Sequence, residues 1–302
     1  MYRRMLLPAI AVLSLVAGPS IAQELTGTLK KIKDSGSLTI GHREASVPFS
    51  YYDDKQQVIG YAMDLCHKIA DAVKKELKLS KLDVKLNPVT SASRIPLIAN
   101  GTVDLECGST TNNIERQNQV SFTITHFVTA NRFVSKKASK LNTVDDMKGK
   151  TITSTSGTTN IKQITEIDGA KKLGLNILPA KDHAEAFLMV ETDRAAAFVM
   201  DDILLYSLVA TSKSPGDYVI SKDALSVEPY GIMLPRGDAA FKKVVDAEMT
   251  RIYKSGEINA IYAKWFTKPI PPKNVNLNLP MTEAFKKVVA NPTDSGDPAV
   301  YK

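Results

Sequence analysis

Apolar residues recur along this chain with two periods, and the switches between them mark out its elements. "TGTLKKIKDSGSLTIGHR" reads as a short amphipathic helix, a Ser-Gly break and a strand from Leu38 to Gly41. "YAMDLCHKIADAVKKEL" sets Leu65, Ile69, Ala70 and Val73 on one face of a helix. "KLDVKLNPV" alternates as a strand, "SRIPLIANG" is a short helix closed by Gly101, and "TVDLECG" is the next strand. After "NRFVSKKASKLNTVDDMKGK" the same rhythm returns. "KTITSTSG" is a strand running into a Gly-Thr-Thr turn, with a helix from about Asn160. "LNILPAKDHAEAFLMVETDRAAAFVMDDILLYSLVA" reads as strand, turn, helix, strand, helix, and "GDYVISKDALSVEPYGIMLPRG" returns the chain to an apolar strand. Two C-terminal helices follow, "AAFKKVVDAEMTRIYKSGEINAIYAKWF", broken at Ser255-Gly256, and "MTEAFKKVV".

This strand–helix alternation predicts parallel α/β sheets, and it occurs twice without a sequence repeat. Two α/β lobes joined by two strand crossings fit the pattern, and a length of 302 residues accommodates two ordinary domains. Ligands in such folds sit where domains meet, beyond the carboxyl ends of strands. The crossings are expected near Ala130–Val134 and Glu228–Ile232.

The N-terminus departs from the pattern. "MYRRMLLPAIAVLSLVAGPSIA" pairs Arg3 and Arg4 with a short apolar run and ends in small residues, which marks residues 1–22 as a secretory signal peptide cleaved after Ala22. No cysteine lies near the cleavage point to carry a lipid. Removing Arg3 and Arg4 lowers the formal charge from +7 to +5. The positive charge is spread along the chain, without basic runs or aromatic-interleaved stripes, so nucleic acid is not an expected partner. The only cysteines, Cys66 and Cys107, could form one disulfide in an oxidising compartment, and spacing alone leaves that open. His42, His67, His126 and His183 are scattered and no CxxC is present, so neither a metal nor a cofactor is expected.

The densest polar stretch is "ECGSTTNNIER", Glu106 to Arg116, just past a strand. With "GHREASVPFSYYDD", "VIGYAMDLCHKIADAV", "TSASRIPLIANGTVDLECGSTTNNIERQNQVSFT", "SGTTN", "AKDHAEAF", "AAAFVMDD" and "YAKWFTKPIPPKN", it resembles the periplasmic solute-binding proteins of amino-acid ABC importers. The likeness is closest to the glutamate/aspartate-binding branch and covers nearly the whole mature chain.

The resemblance implies a periplasmic binding protein-like II fold, with two α/β lobes, a two-strand hinge and the ligand cleft between the lobes. It implies residues 23–131 and 232–302 as lobe one, residues 132–231 as lobe two, and a periplasmic monomer. The partners it implies are L-glutamate or L-aspartate and the membrane permease of an ABC importer.

It also implies roles. In a Thr-x4-Arg pattern, Arg116 holds the α-carboxylate, while Ser109 and Thr111 offer oxygens to the ammonium. Ser156, Thr158 and Thr159 form an anion site at a helix N-terminus. Asp201 pairs with the ammonium, and Asp202 caps the following helix. Arg43, Ser91, Arg94 and His183 gather around a distal carboxylate, which needs paired charge once desolvated. Phe49, Tyr51 and Tyr52 are candidates for either ligand or core packing, and Trp265 is expected in the core.

Two rivals use the same fold. A lyase of the cyclohexadienyl dehydratase type needs a positioned acid, for which Glu106 and His183 are the candidates, yet no catalytic signature stands out. A soluble amino-acid sensor is the other. Glutamate and aspartate differ by one methylene, a difference of only about 1–3 kcal/mol in a pocket.

Overall fold

The computed structural model describes residues 25–302. The expected signal peptide therefore lies outside the described residues. Among those described, no helix is long and apolar enough to cross a membrane.

The chain forms two main sheets. The first has strand order Asp83–Pro88, Ser37–His42, Leu105–Cys107, Met233–Leu234, Ser121–Phe122. The second has the order Asn176–Ala180, Thr151–Thr155, Ala197–Asp201, Phe127–Lys136, Tyr218–Ile220, and Ser226–Tyr230 also pairs with Phe127–Lys136. In each sheet the first three strands run parallel, as the alternating pattern predicts. The next strand is antiparallel in both, so the sheets are mixed rather than parallel throughout. The reason is topological. Met233–Leu234 and Phe127–Lys136 are the strands the chain reaches by crossing from the other lobe, so no right-handed helical crossover orients them.

The crossing itself is a two-stranded ribbon. Phe127–Lys136 pairs with Ala197–Asp201 only from Asn131 onward, whereas its first residues pair with Ser226–Tyr230. The stretch held by one partner alone is Phe127–Ala130, opposite Val227–Tyr230. On the first strand this lies a few residues before the expected Ala130–Val134, because Val134 is already fixed between Phe198 and Ile220 in the second sheet.

Beneath the ribbon lies an aromatic cluster. Phe127 stacks on Phe266 at 4.9 Å, and Phe49 meets Phe127 and Tyr230 edge-on at 5.1 and 5.2 Å. Phe49 and Tyr51 are thus core residues, as is Trp265, whose indole N–H donates to Asp64 at 2.7 Å. These rings anchor the start of both crossing strands in the first lobe, and each aromatic pair adds about 0.5–1.5 kcal/mol beyond area burial. The second lobe has its own smaller core around Phe133, Met147, Ile152, Ile164 and Val199.

The helices begin where their caps dictate. Thr158, Asp182 and Asp238 each accept a backbone N–H in the first turn of Thr159–Lys171, His183–Glu191 and Ala239–Lys254. Gly60 precedes Tyr61–Glu76 at φ 144°, where a Cβ would sit 2.1 Å from the Phe49 carbonyl oxygen, so only glycine fits. Gly256, at φ 76°, breaks the C-terminal helix at the expected place.

Cys66 on helix Tyr61–Glu76 is bonded to Cys107 at the end of a central strand, across 41 residues of sequence. The bond pins helix to sheet at the base of the loop that carries Ser109 to Arg116. Replacing both cysteines with alanine is expected to lower the unfolding free energy by about 2–4 kcal/mol, mainly through the entropy returned to the unfolded chain. Urea denaturation under non-reducing conditions checks this, and an unchanged midpoint contradicts it.

Candidate ligand-binding site

All six parallel strands end at the same interface. His42 is followed by Arg43, Pro88 by the turn to Ser91 and Arg94, and Cys107 by Ser109, Thr111 and Arg116. From the facing lobe come Ser156–Thr159 after Thr155, His183 after Ala180, and Asp201 at its own strand's end. The carboxyl ends of both sheets therefore face each other across one cleft.

Between them lies a small, nearly filled cavity of about 10 Å³. Ser91, Arg94 and His183 line one part of it, and Ser109, Thr111, Thr158, Thr159 and Asp201 line the rest. Asn160, Met200 and Leu204 join them, unanticipated from the sequence. Arg43 and Arg116 are buried but are not among its lining residues. Ser156 is not brought to the cavity, because its backbone N–H is spent on the Ala180 carbonyl, 2.9 Å away, within the sheet edge.

One end of the cavity is rich in donors. Arg94 Nη1 donates to the Ser109 carbonyl at 3.1 Å and to Thr110 Oγ1 at 2.5 Å, and Thr110 passes its own proton to Glu106 Oε2 at 2.6 Å. Glu106, fully buried, also lies 3.8 Å from Arg94 Nη1. This carboxylate, missed as a site component, partly balances two guanidiniums. Gly108 makes room for the arrangement: a Cβ there would sit 2.5 Å from Glu106 Oε1 and 2.8 Å from Arg43 Cγ.

Burial, then the Arg94 charge, lowers the Arg43 pKa to about 10, so it stays charged at neutral pH. Burial likewise holds His183 well below the usual histidine range, aided by Arg43 and Arg94, so its ring is neutral. Thr155 Oγ1 lies 2.9 Å from His183 Nδ1. With the hydroxyl as donor, the ring proton falls on Nε2. Arg43 Nη1, Arg94 Nε, Ser91 Oγ, Ser109 Oγ and His183 Nε2 are all buried without a hydrogen-bond partner. A buried polar group without a partner costs about 1–3 kcal/mol; Arg43 Nη1, Arg94 Nε, Ser91 Oγ and His183 Nε2 can donate to an anion, while Glu106 Oε1 is buried beside them without a donor.

The other end mixes charges. Arg116 Nη1 donates to the Thr111 carbonyl at 2.9 Å, and Nη2 reaches across the cleft to the Gly157 carbonyl at 3.3 Å. Asp201 accepts from Asn160 Nδ2 at 2.7 Å and from the Tyr230 hydroxyl. Glu228, buried on the crossing strand, accepts from Thr159 Oγ1 at 3.0 Å and Gln163 Nε2 at 2.7 Å. Burial first, and the Glu228 charge second, push the Asp201 carboxyl up to about 7. Glu228 and Tyr230 were not foreseen as site residues; a lone carboxylate inside the strand "SVEPY" was the available signal.

One expected role is corrected. Asp202 does not cap its helix; its carboxylate takes the Thr129 hydroxyl at 2.5 Å and Arg132 Nε at 3.1 Å, because the crossing strand runs alongside. The Thr158 hydroxyl accepts Ile161 N–H and donates to the Thr155 carbonyl, so it serves as the cap of its helix.

The lobes meet closely around this cavity. Thr111 Oγ1 and Thr159 Oγ1 are 3.5 Å apart, and Lys162 pairs with Glu115 at the rim. Gly157, at φ 75°, packs so tightly that a Cβ would lie 2.5 Å from Ala92 Cα.

Two α/β lobes, a two-strand crossing and a polar cavity at facing strand ends define a two-lobed extracytoplasmic solute-binding protein with the type II periplasmic fold. The chain belongs to the bacterial extracellular solute-binding proteins, family 3, whose model matches residues 38–268. It is 53% identical over 290 residues to the L-glutamate/L-aspartate-binding protein of Pseudomonas aeruginosa, covering 96% of each chain. It is 43% identical to the glutamate/aspartate import solute-binding protein of Escherichia coli, covering 95% of this chain and 97% of that one. Among solved structures, an ancestral arginine-binding protein bound to arginine is 26% identical, with a TM-score of 0.69 over 76% of this chain and 98% of that one. These relatives are binding proteins rather than enzymes.

The glycine contact gives a direct test of closure. Gly157→Ala forces a methyl group against the Ser91–Ala92 backbone across the cleft, and it strains the left-handed φ. It is expected to raise the dissociation constant of the bound solute by about tenfold or more, an opposing term of at least 1.4 kcal/mol. Small-angle scattering with saturating solute should show a less compact molecule; an unchanged radius of gyration and affinity contradict this.

Proposed function

We propose that this protein captures L-glutamate or L-aspartate in the periplasm by closing its two lobes, and presents the closed form to the membrane permease of an ABC importer. The observation that carries the reading is the pair of cationic ends separated by one small cavity. Arg43, Arg94, Ser91 and His183 make a site for a side-chain carboxylate. Arg116, with the amides opening helix Thr159–Lys171, makes one for the α-carboxylate. Asp201 and the oxygens of Ser109 and Thr111 receive the ammonium. Several charge-assisted bonds in a dry cleft support affinities near micromolar, about −8 kcal/mol, after ordering costs. Export by a cleaved signal peptide, a monomeric state and the lobe limits, 23–131 with 232–302 and 132–231, belong to the same proposal. The names of the close relatives agree with it.

Closure follows from the ligand's two ends being held by different lobes. Arg43, Arg94 and Arg116 come from the first, and His183, Asp201 and the helix N-terminus from the second. Binding energy is therefore realised only when the lobes meet, and the solute selects the closed arrangement.

Titration calorimetry with glutamate, aspartate, glutamine and asparagine tests the reading, and no heat from either acidic amino acid overturns it. Arg116→Ala is expected to weaken all four by about a hundredfold or more, since it leaves an α-carboxylate buried without its cation. Arg94→Ala is expected to weaken glutamate by about a hundredfold and glutamine by less than tenfold. A retained preference for glutamate over glutamine contradicts the distal assignment.

The Asp201 carboxyl adds a pH dependence whose sign is fixed. With a pKa of about 7 in the ligand-free closed form, Asp201 gains a proton there as the pH falls below 7 and then no longer opposes the ammonium with a charge. Binding requires the ionised form, so affinity is highest above pH 8 and falls by about tenfold at pH 6, with a proton released on binding near pH 7. Titrations in buffers of different ionisation enthalpy measure that proton; flat affinity from pH 6 to 8 with no proton release contradicts the assignment.

A further inference from the structure

Thr111 to Arg116 carries the guanidinium to the cleft on a turn and a single helical turn, Ile114–Gln117, and so short an element does not hold its own position. Its internal bonds are few: Arg116 N–H to Asn113 Oδ1 at 2.8 Å, Gln117 N–H to the Asn113 carbonyl at 3.0 Å and Arg116 Nη1 to the Thr111 carbonyl at 2.9 Å. On the side away from the cavity lies the C-terminal tail, residues 291–302, which falls beyond the residues matched by the family model.

The contacts between turn and tail are specific. The Asp294 carbonyl accepts Asn112 Nδ2 at 2.8 Å and Gln117 Nε2 at 3.0 Å, and Gln117 Nε2 also donates to Asn112 Oδ1 at 2.9 Å. Asn112 is fully buried, and its N–H donates to the carbonyl of Pro229 on the crossing strand at 2.7 Å. Gly296 lies flat on the turn: a Cβ there would sit 2.8 Å from both Asn113 C and Ile114 N. The tail is itself fixed. The Thr293 carbonyl accepts Thr125 N–H at 2.8 Å, and Lys242 Nζ pairs with the Asp294 carboxylate at 2.8 Å. The Tyr301 hydroxyl joins Thr125 Oγ1 and the Ser295 carbonyl at 2.8 and 2.7 Å.

From this arrangement we infer that the C-terminal tail is a positioning element for the α-carboxylate end of the site. It braces Asn112 and Gln117 from behind and so sets where the Arg116 guanidinium stands. None of its residues lines the cavity, so it acts through the Thr111–Arg116 turn and is indifferent to the ligand's side chain. Asn112 and Gln117 are positioning residues in the same sense. The inference rests on the proposed role of Arg116.

The test uses the full chain with three single substitutions, Asn112→Ala, Gln117→Ala and Gly296→Val, titrated with L-glutamate, L-aspartate and L-glutamine well below the melting temperature of each. Loss of one or two such bonds is expected to raise the dissociation constant about five- to twentyfold, equally for all three amino acids, leaving the glutamate-to-glutamine ratio within about twofold of wild type. Gln117 is half-buried and makes only side-chain bonds to the tail, so Gln117→Ala supplies a folded variant even if a buried change unfolds the protein. A tail that serves stability alone lowers the melting temperature and leaves every dissociation constant within twofold, which overturns the inference. So does a loss confined to the acidic ligands. Failure of the wild-type protein to bind any of the three instead overturns the functional reading itself.

Discussion

A guanidinium carries five N–H donors in a fixed fork and stays charged even where burial lowers its pKa, so a protein that buries one must surround it with oxygen. This chain buries three at a single interface: Arg43 and Arg94 are 2% exposed and Arg116 is 7% exposed. The protein satisfies them only in part. Backbone carbonyls of Ser109, Thr111 and Gly157 and the hydroxyl of Thr110 take some of the donors, and Glu106 offsets part of the charge. Arg43 Nη1 and Arg94 Nε keep none. Two lobes that closed on this surface with nothing between them would bear an electrostatic cost that a ligand's carboxylates would remove, and on the proposed reading this difference couples ligand capture to closure.

The scaffold confines that closure to one movement. A disulfide and an aromatic cluster stiffen the first lobe up to Phe127 and Tyr230, and the second sheet takes hold of the crossing strand again at Asn131. Bending is thereby concentrated in a few residue pairs of ribbon. Gly157 marks the far end of the same movement, where the lobes approach until no side-chain atom fits. Glu228 sits on the ribbon yet bonds Thr159 at the cavity, so the carboxylate that raises the Asp201 pKa also ties the ligand's helix to the hinge.

The two ends of the site are built differently. At the proposed distal end the donors follow three separate strands, Arg94 at the start of a short helix, with His183 opening a helix of the facing lobe, and on this reading specificity for a carboxylate follows from fixed charge. At the α-carboxylate end the guanidinium stands on a short turn that needs bracing from outside its own segment, which the tail provides. A receptor for amino acids has reason to hold both ends equally firmly, since the α-groups are common to every amino acid and discrimination is worth little if the shared end is loose.

Much of this was legible in the sequence. Local pattern placed Leu65, Ile69, Ala70 and Val73 on a buried helix face and Ser255-Gly256 at the helix break, because such features are set by neighbours within a few residues. The polar stretches after each strand pointed to the cleft for the same local reason: a parallel strand ends, and whatever follows it is delivered to that edge of the sheet. What the sequence did not determine depends on chain segments far apart. The antiparallel crossing strands, the displaced hinge, the bonded cysteines 41 residues apart, the Asp202 contact with Arg132 and the spent amide of Ser156 are each fixed by a partner from another element. The charge balance of Glu106 and Glu228 and the brace from Asp294 belong to the same class. Periodicity reports which face of an element is buried, but only the assembled fold decides which group lies opposite, and for buried charges that neighbour sets both the pKa and the role.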